Sequence, residues 1–252
     1  MEASNTALRA PVIIGRGRVG RAFGAAAARS GVSVELRSRD DGLEGLSGRT
    51  VLLCVPDAEI APVAERVGTL GNPALLGHTS GATALDALSG AGAAGTFSIH
   101  PLQTVPGPET DLSGCPAAIA GSSPAALEAA GELARMTGMI SFQVAEEDRA
   151  TYHAAASIAS NYLVTLEQTA AELLEEIGTT NPRELLEPLI RRSLDNWLAS
   201  GPLALTGPIA RGDEVTVESH RRALAERRPD LVVLYDTLAE RTREIAAARS
   251  ES

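Results

Sequence analysis

Three glycines spaced Gly15-x-Gly17-x-x-Gly20 follow the apolar run Pro11–Ile14 and open the alanine-rich stretch Arg21–Ser30. Each suits a different role. Gly15 permits a tight turn, Gly17 lets backbone approach a pyrophosphate, and Gly20 allows close packing of helix on strand. The first helical amides, at Arg18 and Val19, and the helix dipole would then receive the anion. This context predicts a dinucleotide site; a tight strand-to-helix turn alone would also use glycine. The next apolar run, Val32–Leu36, leads into Arg37-Ser38-Arg39-Asp40. An NAD site places a carboxylate at this tip, on the ribose 2′-OH. A guanidinium and a hydroxyl would instead hold a 2′-phosphate, a charge-assisted contact worth about 1.5–3 kcal/mol. Ser38 and Arg39 are therefore the expected contacts and NADP the expected cofactor, with Glu35 and Asp40 as the acids that would serve NAD.

Two further loops fall where strands of such a sheet should end, the place where ligands gather. Val55, Pro56 and Asp57 close one strand, and Ser80 follows another in His78-Thr79-Ser80-Gly81. Small residues and hydroxyls there suit a nicotinamide ribose, while Asp57 could equally cap the next helix. Cys54 reads as a core thiol.

A bound dinucleotide raises the question of hydride transfer, and a carbonyl that receives hydride also needs a proton from a group with a suitable pKa. Lysine often serves; this chain contains none. The histidines are the alternatives. His100 stands directly after a strand in Ser98-Ile99-His100-Pro101, a substrate-facing position or a simple strand cap. His153, Ser157 and Asn161 recur every four residues along a helix otherwise rich in alanine, so they share one face with a drift of about 40° per step. That polar stripe is a candidate for catalysis and substrate contact, or for a helix–helix hydrogen bond. His78 and His220 are weaker candidates. In Leu205-Thr206-Gly207-Pro208-Ile-Ala-Arg211-Gly212-Asp213, Arg211 could clamp a substrate carboxylate with Thr206 donating to it. Arg211 could also pair with Asp213, or Asp213 could cap the following helix.

The elements that must position these residues are legible in outline. Seven short apolar runs are strand candidates: Pro11–Ile14, Ser33–Leu36, Thr50–Val55, Ala74–Leu76, Thr96–Ile99, Ala117–Ile119 and Ser141–Val144. Alternation with helical stretches argues for a doubly wound α/β sheet. After Val144 strand signals nearly vanish. Glu146–Gly178 reads as one long helix with an acidic first turn, followed by helices over Asn181–Ala199, Thr216–Glu226 and Pro229–Ala247. The expectation is a Rossmann domain over residues 1–145 and an all-helical domain over 146–252. Of 252 residues, 44% are hydrophobic, and the formal charge is −10, with no basic block, which argues against nucleic-acid binding. No run of about 18 apolar residues exists, and Met1 to Ala7 lack a leader's charged and apolar regions, so no membrane span and a cytoplasmic setting are expected. Cys54 and Cys115 lie outside any metal-ligand spacing, and no metal is expected.

The amino half, through Gly15-x-Gly17-x-x-Gly20, Val55-Pro56-Asp57, His78-Thr79-Ser80-Gly81 and Ser98-Ile99-His100-Pro101, resembles the Rossmann half of the 6-phosphogluconate dehydrogenase-like superfamily. The helical half, through Tyr152-His153-Ala-Ala-Ala, Asn161 and the Thr206–Asp213 segment, resembles the DUF2520 domain. The resemblance implies an NADP-dependent oxidoreductase, similar to an alternative class of ketopantoate reductases, and a homodimer formed through the helical domain. In the wider superfamily a Lys-x-x-x-Asn on the long helix supplies the acid and a substrate contact; Asn161 matches that Asn, and Ser157 stands in the lysine slot. The implied reaction is reduction of a small 2-oxo acid, best ketopantoate to pantoate, with Asn161 on the carbonyl, His153 or His100 as acid, and Ser157, Thr206 and Arg211 toward the substrate. An imine substrate, a deazaflavin partner, or a sensor that binds NADP(H) without turnover are the other readings.

Overall fold

In the computed structural model, residues 11–38 and 41–248 are described. The chain divides into two compact units between Leu163 and Val164. The first is an α/β layer structure and the second is helical.

Seven strands form one sheet: β1 (Val12–Ile14), β2 (Glu35–Arg37), β3 (Thr50–Leu53), β4 (Leu75–His78), β5 (Gly95–Pro101), β6 (Pro116–Gly121) and β7 (Ile140–Gln143). Their order is β2-β1-β3-β4-β5-β6-β7, parallel throughout except for the antiparallel β5–β6 pair. All seven expected strands exist, displaced at their ends: β2 starts at Glu35 and includes Arg37, and β3 stops at Leu53. Helices α1 (Arg18–Arg29), α2 (Asp57–Leu70) and α3 (Pro124–Met136) complete the layers.

Strand alternation sorts side chains between two cores. Ile13 and Leu52 face one core with Ala22, Phe23 and Ala26 of α1 and Ala126, Ala130 and Ala134 of α3. Val12, Ile14, Val51 and Leu53 face the other with Ile60, Val63 and Val67 of α2. The alanines of α1 and α3 are thus packing surfaces that bring helix backbones close to the sheet, in a chain with only 3% aromatic residues. Gly77 in β4 makes room for Phe97 in β5: a Cβ there would stand 2.3 Å from the ring.

The run expected as one uninterrupted helix has three parts: a 3-10 turn over Glu146–Asp148, α4 (Arg149–Ser157) and α5 (Leu163–Glu176), with a π-helical turn over Ile158–Tyr162 between the helices. Such wide turns accommodate an extra residue and cluster at functional sites. The division between units falls at the start of α5 rather than at the change of texture near residue 145. Glu146, Arg149 and Tyr152 explain the difference, because each is bonded to loops or strands of the first unit.

The second unit continues with α6 (Pro182–Ser200), α7 (Glu214–Arg227) and α8 (Val232–Ala248). Arg228 ties α5 to the α7–α8 turn, with nitrogens 3.5, 3.1 and 2.9 Å from Glu172, Glu176 and Asp230. No described helix is long and apolar enough to cross a membrane.

Candidate active site

The strand order reverses between β1 and β3, and the carboxyl ends of these two strands meet at the glycine loop, the position where open α/β sheets bind ligands. The Cys54 amide donates to the Ile14 carbonyl at 2.8 Å. Gly15 has φ +122°, and a Cβ on it would lie 2.1 Å from the Cys54 carbonyl oxygen. A Cβ on Gly20 would lie 1.9 Å from the Gly15 carbonyl oxygen. Both glycines are demanded by the chain itself. Gly17 is not: its φ of −72° is open to any residue, and nothing lies within 4 Å of its Cβ position. It caps α1 with no side-chain bond to the first amides, and α1 has no acidic residue in its first turn. The first amides of α1, at Arg18 and Val19, thus receive no side-chain cap, the setting in which a helix amino end suits an anion.

At the tip of β2, Arg37 does not project as a free cation. Its guanidinium binds Glu35 at 2.6 Å and donates to the carbonyls of Gly42 and Glu44 at 2.9 Å. Glu35 also accepts from Arg49 at 2.5 Å. The Arg49 and Arg37 hydrogen bonds hold its carboxyl below the usual range, so Glu35 is committed to a local cluster. The Ser38 amide donates to Asp41 at 2.7 Å. Arg39 and Asp40 lie outside the described residues. A cation that sequence reasoning passed over stands in the glycine motif: Arg16 donates to the Leu36 carbonyl at 3.2 Å and pairs with Asp41 at 3.3 Å. Its place between Gly15 and Gly17 was the available signal.

Val55 and Pro56 lead from β3 into α2. Pro56 is the helix cap and Asp57 the first helical residue, so Asp57 contributes its charge to the first turn rather than capping by its side chain. The Ser80 hydroxyl is used within its own loop, accepting from the Ala82 and Thr83 amides at 3.2 and 2.9 Å and donating to Thr83. Cys54 is a core thiol, pushed up to about 12 by burial.

The two histidines come together. His100 lies near the end of β5 and His153 in α4, with ring centroids 5.9 Å apart. His100 Nδ1 is 2.7 Å from the Tyr152 hydroxyl. Gly81 fits against both imidazoles, since a Cβ there would meet each at 2.8 Å. Burial, followed by the neighbouring His153 and Arg149, lowers the His100 pKa to about 4. His100, Tyr152, His153, Ser157 and Asn161 line one cavity of about 600 Å³ together with Gln103 and Thr104, a size suited to a small ligand. The π-helical turn explains why the stripe stays in line: with more residues per turn, it offsets the α-helical drift before Asn161.

Beneath this cavity sits a charged residue that sequence reasoning missed. Arg149 is buried, donating to Ser98 Oγ at 2.7 Å, the Ser80 carbonyl at 3.4 Å and Glu146 at 3.0 Å. Glu146 also accepts from the Leu85 amide at 2.9 Å. His78, fully buried, is lowered to about 4 by burial and then by Arg149. The unfolded imidazole takes a proton near pH 6.5 and the folded one only near 4, so acidification through that window removes up to about 3 kcal/mol of stability. Urea denaturation between those pH values is expected to show the loss, and His78→Gln to flatten the slope. An unchanged slope in that variant would assign the loss to other groups.

In the second unit, Arg211 donates to the carbonyl of Thr206. Asp213 caps α7, accepting from the Thr216 amide and hydroxyl at 3.1 and 2.6 Å. His220 meets the Tyr235 hydroxyl at 3.0 Å.

The fold and this arrangement define a Rossmann-type α/β chain joined to a helical unit. Residues 115–242 match the domain of unknown function DUF2520, and the chain belongs to that family. No curated protein matches it significantly. Among solved structures it is similar to a Bacteroides fragilis protein provisionally named an NADP oxidoreductase, with TM-score 0.77, 23% identity, and 94% of this chain and 98% of that one covered. Protein TM1727 of Thermotoga maritima gives 0.76 and 24%, covering 95% and 99%. The reductive aminase of Aspergillus terreus, solved with NADPH and ethyl-5-oxohexanoate, gives 0.65 and 15%, covering 95% and 97%.

Proposed function

We propose that this chain is a cytoplasmic NADPH-dependent reductase of a small carbonyl compound, best a 2-oxo acid such as ketopantoate. The observation that carries the reading is Gly17. The chain has no internal need for glycine there, and the uncapped amino end of α1 beside it suits a pyrophosphate. Arg16, with Ser38 and Arg39, is assigned to the 2′-phosphate; Val55, Pro56, Asp57 and the loop held by Ser80 are assigned to the nicotinamide side. NADPH would supply the hydride. Asn161 is assigned to the substrate oxygen, the cluster around His100 and His153 to its protonation, and Ser157, which lines the same cavity, to the rest of the substrate. The reductive aminase likeness gives an imine as the second substrate class, since its complex holds both NADPH and a keto ester.

A homodimer is part of the reading. On α6, Leu185 and Leu189 stand one turn apart on the same face and are each more than half exposed, an apolar stripe that suits a second copy of the chain. The direct test of function is NADPH oxidation with ketopantoate, with NADH in parallel. Turnover with NADPH preference supports the assignment; NADPH binding without turnover on any carbonyl or imine favours a sensor.

A further inference from the structure

We propose that Tyr152 delivers the proton to the reduced substrate, with its hydroxyl oriented for the transfer by the Nδ1–H of His100. This inference rests on the reductase reading above and names the acid that reading requires.

The chain has no lysine, the usual ammonium donor, and the state of His100 narrows the choice further. Burial keeps its imidazole neutral down to about pH 4, so it carries one N–H and one bare nitrogen, and a neutral ring is a poor direct acid. The groups acting on this pair come from several elements: His153 and Arg149 on α4, Asp57 on α2 and Cys115 before β6. A second charge on His153 would oppose a charge on His100, which further disfavours an imidazolium here. Tyr152, in turn, is protonated at neutral pH, its pKa pushed up to about 12 by burial.

Two arrangements satisfy the 2.7 Å contact between Nδ1 and the hydroxyl oxygen. If Nδ1 is bare, the phenol spends its only proton on the ring. If Nδ1 carries the proton, the ring donates to the phenol oxygen, and the O–H turns toward the cavity that both residues line. The second arrangement is a built acid. As hydride arrives at the carbonyl carbon, the π electrons move to oxygen, and that oxygen takes the Tyr152 proton. The phenolate is then reprotonated by water, and His100 keeps its Nδ1 proton throughout, so the starting state is restored. The cofactor is oxidised, the carbonyl is reduced to an alcohol, and one solvent proton is consumed. His100 acts through Tyr152 and is a positioning residue.

The test has two arms on the full-length protein. Heteronuclear NMR of the imidazole nitrogens, read without substrate, is expected to show His100 protonated at Nδ1, and Tyr152→Phe to move the proton to Nε2. With NADPH and ketopantoate, Tyr152→Phe is expected to lower kcat by about 10²–10³-fold while the NADPH Kd changes by less than about twofold. Wild-type His100 protonated at Nε2, or a Tyr152→Phe kcat within about fivefold of wild type, would overturn the proposal. Absence of wild-type turnover would instead overturn the reductase reading, and the tautomer arm tells the two failures apart.

Discussion

Replacing Arg149 with alanine is expected to lower the unfolding free energy by about 2–4 kcal/mol, the range for leaving two buried polar groups without their donor. The side chain is 7% exposed and Glu146 38%, so the loss falls mainly on what the guanidinium leaves behind. Ser98 Oγ and the Ser80 carbonyl lose their donor, and Glu146 keeps only the Leu85 amide. These partners lie on β5, on the loop after β4 and before α4, so one side chain ties three segments around the cavity. Arg149→Met, which retains volume without charge, is expected to recover part of the loss. The urea midpoint at constant slope measures both variants, and a shift worth less than about 1 kcal/mol for Arg149→Ala would show that Arg149 is not a structural anchor.

The glycine loop gives the second large effect, and it separates folding from binding. Gly17→Asp is expected to leave stability unchanged or slightly raised, because aspartate is a favoured N-cap and α1 has no side-chain cap. The same carboxylate would occupy the first amides and repel a pyrophosphate, so NADPH affinity is expected to fall about a hundredfold, near 3 kcal/mol. Gly20→Ala should do the reverse. Its methyl would collide with the Gly15 carbonyl, and stability should drop by about 1–3 kcal/mol or more. Thermal melts and a calorimetric NADPH titration on both variants check the contrast. NADPH binding that survives Gly17→Asp would place the cofactor elsewhere.

Sequence reasoning reached the sheet because its strands are buried on both faces and therefore read as short apolar runs between helices. It reached Gly15 and Gly20 because a tight strand-to-helix turn at that spacing leaves no room for a Cβ at either position. It fell short where side chains meet through the fold. Arg149 follows Glu146-Glu147-Asp148 and looks like the solvated start of a helix; its burial depends on Ser98, far away in sequence. Tyr152 and His100 are 52 residues apart, and no local pattern announces their contact. The π-helical turn left no mark, since Ile-Ala-Ser-Asn-Tyr is as compatible with an α-helix. At the tip of β2 the expected contacts are Ser38 and Arg39; Arg39 lies outside the described residues, and the neighbouring Arg37 is held by Glu35 and two carbonyls.

Whether the glycine loop holds NADP is decided by a calorimetric titration of the full-length protein with NADPH and, separately, with NADH. Saturable NADPH binding is expected, tighter than NADH by about tenfold or more, as a charge-assisted contact to the 2′-phosphate requires. Absence of NADPH binding at millimolar concentration would contradict the dinucleotide assignment, leaving the glycine loop as a tight turn and nothing more.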